Sequence, residues 1–300
     1  MSRQPIYALR PSKQVTRLMV VEMLLRLGPI ADPSSYQYVG FGALEFVDFE
    51  LIHRRLGITK MVSIEGKEGQ IARCKANRPY NGIEILAGKS SDQLATIDWT
   101  RLSIVWLDYT TGINADLIAD VEFLCRELLP GSVLITTINA HPDKELGKRR
   151  AQLVGAVGEE RIPEKVNDNT LGGWGLATAQ REILTAVAMA ALSGRADGAD
   201  WNQVLNIQYR DSARMQLLAG VIGAPALART IEACTFGDLE FVRGTGDALT
   251  IDVPYLTPKE QRALNEQLPR GYRKRLSLPG VAKSEIDAYV AVYRWLGTAG

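Results

Sequence analysis

Between residues 37 and 138, short apolar runs alternate with stretches of helical length, and this alternation restricts the fold more than any other feature of the chain. The runs are Tyr38-Val39-Gly40-Phe41-Gly42, residues 60–65 (KMVSIE), 83–87 (IEILA), 102–107 (LSIVWL) and 132–138 (SVLITTI). They lack the strict polar–apolar alternation of a strand with one wet face, so they read as strands covered on both sides. Helical segments at 44–56, 68–77 and 115–129 separate them, the last stopped by Pro130-Gly131. Strand and helix in turn predict a parallel sheet with right-handed crossovers. Residues 203–209 and 215–222 flank Arg210-Asp211-Ser212-Ala213 and read as an antiparallel hairpin.

Around this core, residues 15–27 carry helical spacing and end at Gly28-Pro29, giving an N-terminal helix. Residues 143–156 and 177–192 read as helices, with a polar loop at 159–174 between them that holds Trp174. After Pro225 a helix through Ala233 is expected. Thr257-Pro258-Lys259-Glu260 is a capping box opening another to Leu268, and a last one runs from Ser284 to about Trp295. The expected fold is α/β: a Rossmann-like, mostly parallel sheet with an antiparallel C-terminal hairpin, an N-terminal helix and a helical C-terminal tail. The division expected is an extension at 1–32, a core at 33–223 and a mostly helical extension at 224–300.

Composition removes several functions. Among 300 residues, 35 Lys and Arg balance 34 Asp and Glu, without the basic surplus of a nucleic-acid-coating protein. Arg270, Arg273, Lys274 and Arg275, with Tyr272, form the one basic cluster, which fits a solvated turn better. The 3 cysteines, Cys74, Cys125 and Cys234, are far apart and form neither a disulfide framework nor a zinc pattern. The 2 histidines, His53 and His141, leave little for a His-rich metal site or a Ser-His-Asp triad. Residues 1–14 contain no apolar signal-peptide stretch, and the longest apolar run, 183–192, is too short to span a membrane. A cytoplasmic protein is expected, with no membrane partner; a homo-oligomer is compatible with the sequence.

The chemistry concentrates at the strand ends. Gly40-Phe41-Gly42 closes the first strand, and Glu65 closes the second. Small residues let a ligand approach the backbone, and a carboxylate at the next strand tip can accept hydrogen bonds from ribose hydroxyls. A dinucleotide fingerprint would place a third glycine where Glu45 stands, and Asp48 and Glu50 follow. Carboxylates there would repel a pyrophosphate, although acids also favour helix N-termini for their own sake. S-adenosylmethionine, phosphate-free and bearing a sulfonium cation, suits the charge pattern. Gly88-Lys89-Ser90-Ser91-Asp92 follows the third strand and Asp108-Tyr109 the fourth. The candidate cofactor-binding residues are Tyr38, Gly40, Gly42, Glu65, Ser90, Asp92 and Asp108; the candidate catalytic residues are Asp108 and Tyr109.

In this order the residues resemble class I S-adenosylmethionine-dependent methyltransferases. More narrowly, phrases such as Phe46-Val47-Asp48-Phe49, Met61-Val62-Ser63-Ile64-Glu65, Asn77-Arg78-Pro79-Tyr80 and Val105-Trp106-Leu107-Asp108-Tyr109 resemble a bacterial O-methyltransferase group, across residues 9–135. The resemblance implies a methyl transferase with S-adenosylmethionine as cofactor, a contact from residue 90 or 92 to adenine, and a small-molecule or macromolecular acceptor. Two positions depart from the class: Tyr38 stands where an acid usually meets the cofactor's amino end, and Leu44 where a third glycine is common. Asp108-Tyr109-Thr110-Thr111 lacks the prolines of amine methylation, which favours an oxygen acceptor. A metal held by Asp108, Asn139 and Asp143 is weighed against helix capping by the latter two, and His141 is a candidate base at the rim. Arg10, Lys13 and Arg17 would either fold over the cleft or form a solvated helix start. The alternatives are a binding module that senses without transferring, favoured by Tyr38 and Leu44, and a nicotinamide oxidoreductase, opposed by Glu45.

Overall fold

The computed structural model describes residues 10–269 and 276–296. The basic cluster at 270–275 lies outside the described residues. The chain opens with α1 (Pro11–Leu24), tightening to a 3₁₀ turn at Leu25–Leu27. The alternating core follows as β1 (Gln37–Gly40), α2 (Val47–Leu56), β2 (Met61–Glu65), α3 (Glu68–Asn77), β3 (Ile83–Ala87), α4 (Ser90–Leu94), β4 (Ser103–Asp108), α5 (Ala115–Glu127) and β5 (Val133–Asn139). Then come α6 (Arg149–Val157), α7 (Gly175–Leu192), and the hairpin β6 (Asp200–Arg210) and β7 (Arg214–Gly223). The tail contains α8 (Ala228–Ala233), β8 (Leu249–Ile251), α9 (Pro258–Asn265) and α10 (Lys283–Val292).

One sheet of 8 strands runs β3-β2-β1-β4-β5-β7-β6-β8. The first five in sequence pair in parallel, and β7 enters antiparallel between β5 and β6. The expected Rossmann-like sheet and closing hairpin are therefore present. Successive residues of each strand feed opposite faces. Tyr38, Met61, Ile104, Trp106 and Ile135 pack beneath α1 and α2, against Val15, Met19, Phe49 and Ile52. Val39, Val62, Val105, Leu107 and Leu134 face α5 and α7, against Leu117, Val121, Ile183 and Leu184. Burial on both faces explains the near-continuous apolar runs of β1, β2, β4 and β5; β3, expected to be covered on both sides, lies at the sheet edge with Glu84 and Ala87 exposed. Trp106 is tolerated in this core because its indole N–H donates to Thr137 Oγ1 at 3.0 Å.

Three local expectations change. The helix expected from residue 44 begins at Val47, because Ala43 and Phe46 adopt left-handed backbone conformations. The helix expected from residue 143 begins at Arg149, after a 3₁₀ turn at Leu146–Lys148; the Asp143 carboxylate instead accepts the Glu145 N–H at 2.7 Å and the Gln152 amide at 2.7 Å. In the helical tail, β8 adds a short parallel strand beside β6. The box at Thr257 forms as expected, with Glu260 reaching back to the Thr257 N–H at 2.7 Å. No helix of the described residues is long and apolar enough to cross a membrane.

Candidate functional site

A cleft of about 340 Å³ opens at the carboxyl ends of β1, β2 and β4, where open α/β sheets bind their ligands. Its first wall is the turn after β1. The Gly42 N–H donates to Ser63 Oγ at 3.0 Å. A Cβ on Gly42 would sit 2.5 Å from the Phe46 ring and 2.6 Å from Ser63 Oγ, so glycine is demanded by packing. Phe46 is itself fully buried, at φ 49°, and Ala43 sits at φ 48°. Left-handed non-glycine residues cost free energy and persist where their surroundings over-determine them. Here Phe46 anchors the turn through the core, the role that a further glycine would fill by freedom of the backbone alone.

The second wall carries Glu65. One carboxylate oxygen accepts the Lys67 N–H at 2.8 Å, and the other faces the Cys74 thiol at 3.5 Å. Burial, reinforced by the Glu65 charge, pushes the Cys74 thiol up to about 11, so it stays a neutral donor. Across the cleft, Ser90 and Tyr109 both donate to Asp120 Oδ2, at 2.5 and 2.6 Å. Burial raises the Asp120 carboxyl above its ordinary value, the two hydrogen bonds opposing it. Burial and the Asp120 charge likewise hold the Tyr109 phenol well above its ordinary value. The Tyr109 ring stands edge-on to Phe41 at 5.2 Å.

The floor is ionic. Arg17 Nε pairs with Asp48, and Lys13 Nζ with Asp108. Arg17 is 2% exposed and Lys13 4%, so this helix start is not solvated. Burial lowers the Arg17 guanidinium, but Asp48 outweighs it and leaves the group above its ordinary value. Asp211, in the β6–β7 turn, accepts the Ser12 and Lys13 N–H groups at 3.0 and 3.1 Å, fixing the first turn of α1 over the cleft.

Of the candidate residues, Gly42, Glu65, Ser90, Asp108 and Tyr109 line the cleft together. Tyr38, Gly40 and Asp92 do not. Tyr38 is buried under α2, its ring edge-on to Phe49 at 4.8 Å, and burial with nearby Asp48 and Asp108 drives its phenol far up. Gly40 faces the Trp106 carbonyl, 2.9 Å from where a Cβ would lie. Asp92 is exposed on α4. Sequence reasoning missed Asp120; its signal was one acid among Leu117, Val121 and Leu124 on the buried stripe of α5.

A second cavity, about 680 Å³, lies beyond residues 110–113, bounded by Asn139, His141, Asp143, Leu153, Leu176 and others. Asn139 Oδ1 accepts the His141 N–H at 2.8 Å. With Asp143 bonded locally and Asp108 paired to Lys13, the proposed oxygen set for a metal is not assembled. Among the described residues no group of three His, Cys, Asp or Glu could hold a metal ion. His53 is a packing residue, its Nδ1 2.8 Å from the Ile58 carbonyl and its ring 4.1 Å from that of Tyr80. Trp174 stacks under the Arg214 guanidinium at 5.6 Å.

A family model described as "Putative O-methyltransferase" matches residues 5–297, nearly the whole chain. The chain belongs to this O-methyltransferase family. Among solved structures, the methyltransferase is similar to cofactor-bound Rv0187 from MTB, at 15% identity, covering 73% of this chain and 84% of that one, with a TM-score of 0.44. It is also similar to an O-methyltransferase from Bacillus cereus in complex with SAH, at 17% identity over 72% of this chain and 84% of that one, TM-score 0.41. Among curated proteins, none matches the methyltransferase.

Proposed function

We propose that this methyltransferase binds S-adenosylmethionine in the cleft at the tips of β1, β2 and β4 and passes its methyl group to an oxygen acceptor. The observation that carries this reading is the lining itself. Glu45, Asp48, Glu65 and Asp108 face Arg17 and Lys67, a carboxylate-rich set that suits a sulfonium nucleoside and opposes a pyrophosphate. When bound, the cofactor supplies an electrophilic methyl carbon on sulfur.

The chain's residues then have these tasks. Glu65, its orientation held by the Lys67 N–H, accepts hydrogen bonds from the ribose hydroxyls. Ser90, at the start of α4, would meet the adenine from its flank of the cleft. Tyr109 acts as a wall through its ring; its phenol proton is committed to Asp120, so it does not serve as a base. Asp108, paired with Lys13, orients charge and does not take the acceptor proton. Methyl transfer is an in-line displacement, so alignment and exclusion of water are what the protein contributes. The second cavity, within the usual size range for small-molecule sites, supports a small acceptor entering beyond residues 110–113, with His141 at its rim to receive the proton. In this reading residues 33–223 carry the chemistry and the flanking segments close it. The cysteines of the described residues are all free and buried, which supports a cytoplasmic setting.

Calorimetry with S-adenosylmethionine, S-adenosylhomocysteine and NAD tests the proposal. The first two should bind and NAD should not; binding of NAD alone would overturn it. Glu65→Ala should weaken S-adenosylhomocysteine by about 1–3 kcal/mol. An unchanged affinity removes Glu65 from the ribose site.

A further inference from the structure

We infer that α1, outside the alternating core, completes the cofactor site by receiving the donor's amino-acid end: Arg17 takes its carboxylate, and Asp48 and Asp108 its ammonium. The inference rests on the cofactor reading above and extends it to residues that the strand-tip motifs do not contain.

The tip of β1 cannot perform this task. Residue 38 is a buried tyrosine whose ring belongs to the core and does not line the cleft. The charge that would be expected there is displaced to one flank. Arg17, Asp48 and Asp108 all line the cleft, with Lys13 behind Asp108. The other flank, where Ser90 and Tyr109 meet Asp120, carries no cation among these contacts. On the α1 flank a zwitterion finds a buried guanidinium together with two carboxylates.

The arrangement is costly as structure alone. Arg17 is 2% exposed, Lys13 4% and Asp48 7%. Buried ion pairs lose much of their Coulombic gain to desolvation, and apolar residues of the same volume often serve as well or better. Stability alone is therefore a weak reason for two such pairs side by side on a cleft floor. They do present a preformed guanidinium and carboxylates to a ligand carrying the complementary charges. Preformation has a visible cause: Ser12 and Lys13 donate their N–H groups to Asp211, and Ser12 Oγ donates to the Arg210 carbonyl at 3.2 Å, so α1 is fastened to the β6–β7 turn. A site held in its binding geometry saves the ordering cost at the moment of binding.

The test compares S-adenosylhomocysteine with 5′-methylthioadenosine, which keeps the nucleoside and thioether and lacks the amino-acid end. Both are titrated calorimetrically into the full chain and into Arg17→Met. The expected result is a loss of about tenfold or more for S-adenosylhomocysteine, with 5′-methylthioadenosine unchanged. The unchanged nucleoside also reports that the variant is folded. If Arg17→Met leaves a lone buried Asp48 and does not fold, the neutral double variant Arg17→Met/Asp48→Leu is read in the same way. Equal losses for the two ligands, or none for either, overturn the assignment of Arg17. Binding of 5′-methylthioadenosine but no preference for S-adenosylhomocysteine in the unaltered chain overturns it too and leaves the nucleoside site standing. Failure of the unaltered chain to bind either ligand instead brings down the cofactor reading, and this inference with it.

Discussion

Adding a single methyl group at Gly42 should be felt through the core. The new Cβ would lie 2.5 Å from Phe46 Cε1, 2.6 Å from Cδ1 and 2.6 Å from Ser63 Oγ. Carbon contacts normally settle near 3.5–4 Å, so the ring would have to withdraw by about 1 Å. It has nowhere to go. Phe46 is fully buried, its ring edge-on to Phe49 at 5.5 Å, and Phe49 is edge-on to Tyr38 at 4.8 Å. Overpacking of this kind costs about 1–3 kcal/mol. Moving the turn away instead would break the Gly42 N–H bond to Ser63, at about 1 kcal/mol. Gly42→Ala should therefore lower stability by about 1–3 kcal/mol, whichever response the chain takes, read as a shift in the urea midpoint at unchanged slope. Phe46→Leu removes the ring edge that the methyl meets, so the double variant should be at least about 1 kcal/mol more stable than the sum of the single losses. A Gly42→Ala loss below about 0.5 kcal/mol, or strict additivity in the double variant, would refute the claim that ring packing is what requires glycine here.

The same turn makes a second prediction. Ala43 at φ 48° should accept glycine with a gain of about 0–1 kcal/mol and valine with a loss of more than about 1 kcal/mol; thermal melts giving the reverse order would contradict the left-handed assignment. A third concerns pH. Burial raises the Asp120 carboxyl above its ordinary 3.8, so between that value and the raised one the folded chain holds a proton that the unfolded chain has released. Its contribution to stability therefore falls as pH rises through that window and is level above it. Asp120→Asn should remove this decline in urea midpoints measured as a function of pH, and an unchanged slope would show that another group causes it.

Much of the sheet was legible because its evidence is local. Residues 60–65, 83–87 and 102–107 announce strands by composition alone, and β2, β3 and β4 begin and end within one residue of those runs, although β3, at the sheet edge, is only partly covered. Glu65 at a strand tip and Thr257 before Pro258 could be placed for the same reason. The start of α2 was not legible. Nothing in Leu44-Glu45-Phe46 signals a left-handed residue; that conformation is imposed because Phe46 must reach the core between Gly42 and Phe49. Nor was β8, whose three residues form a strand only because β6 offers an open edge.

Hydrophobic periodicity and turn chemistry determined most of the elements this chain forms, since these depend on neighbours within a few residues. The partners across the cleft were settled by packing. Arg17 meets Asp48 31 residues away, Lys13 meets Asp108 95 residues away, and Asp211 caps a helix 199 residues earlier. A charge in the sequence carries no record of which opposite charge will be beside it, or how dry the place will be. Only the laying of α1 across the sheet turned a run of cations, indistinguishable in sequence from a solvated helix start, into the floor of the cleft.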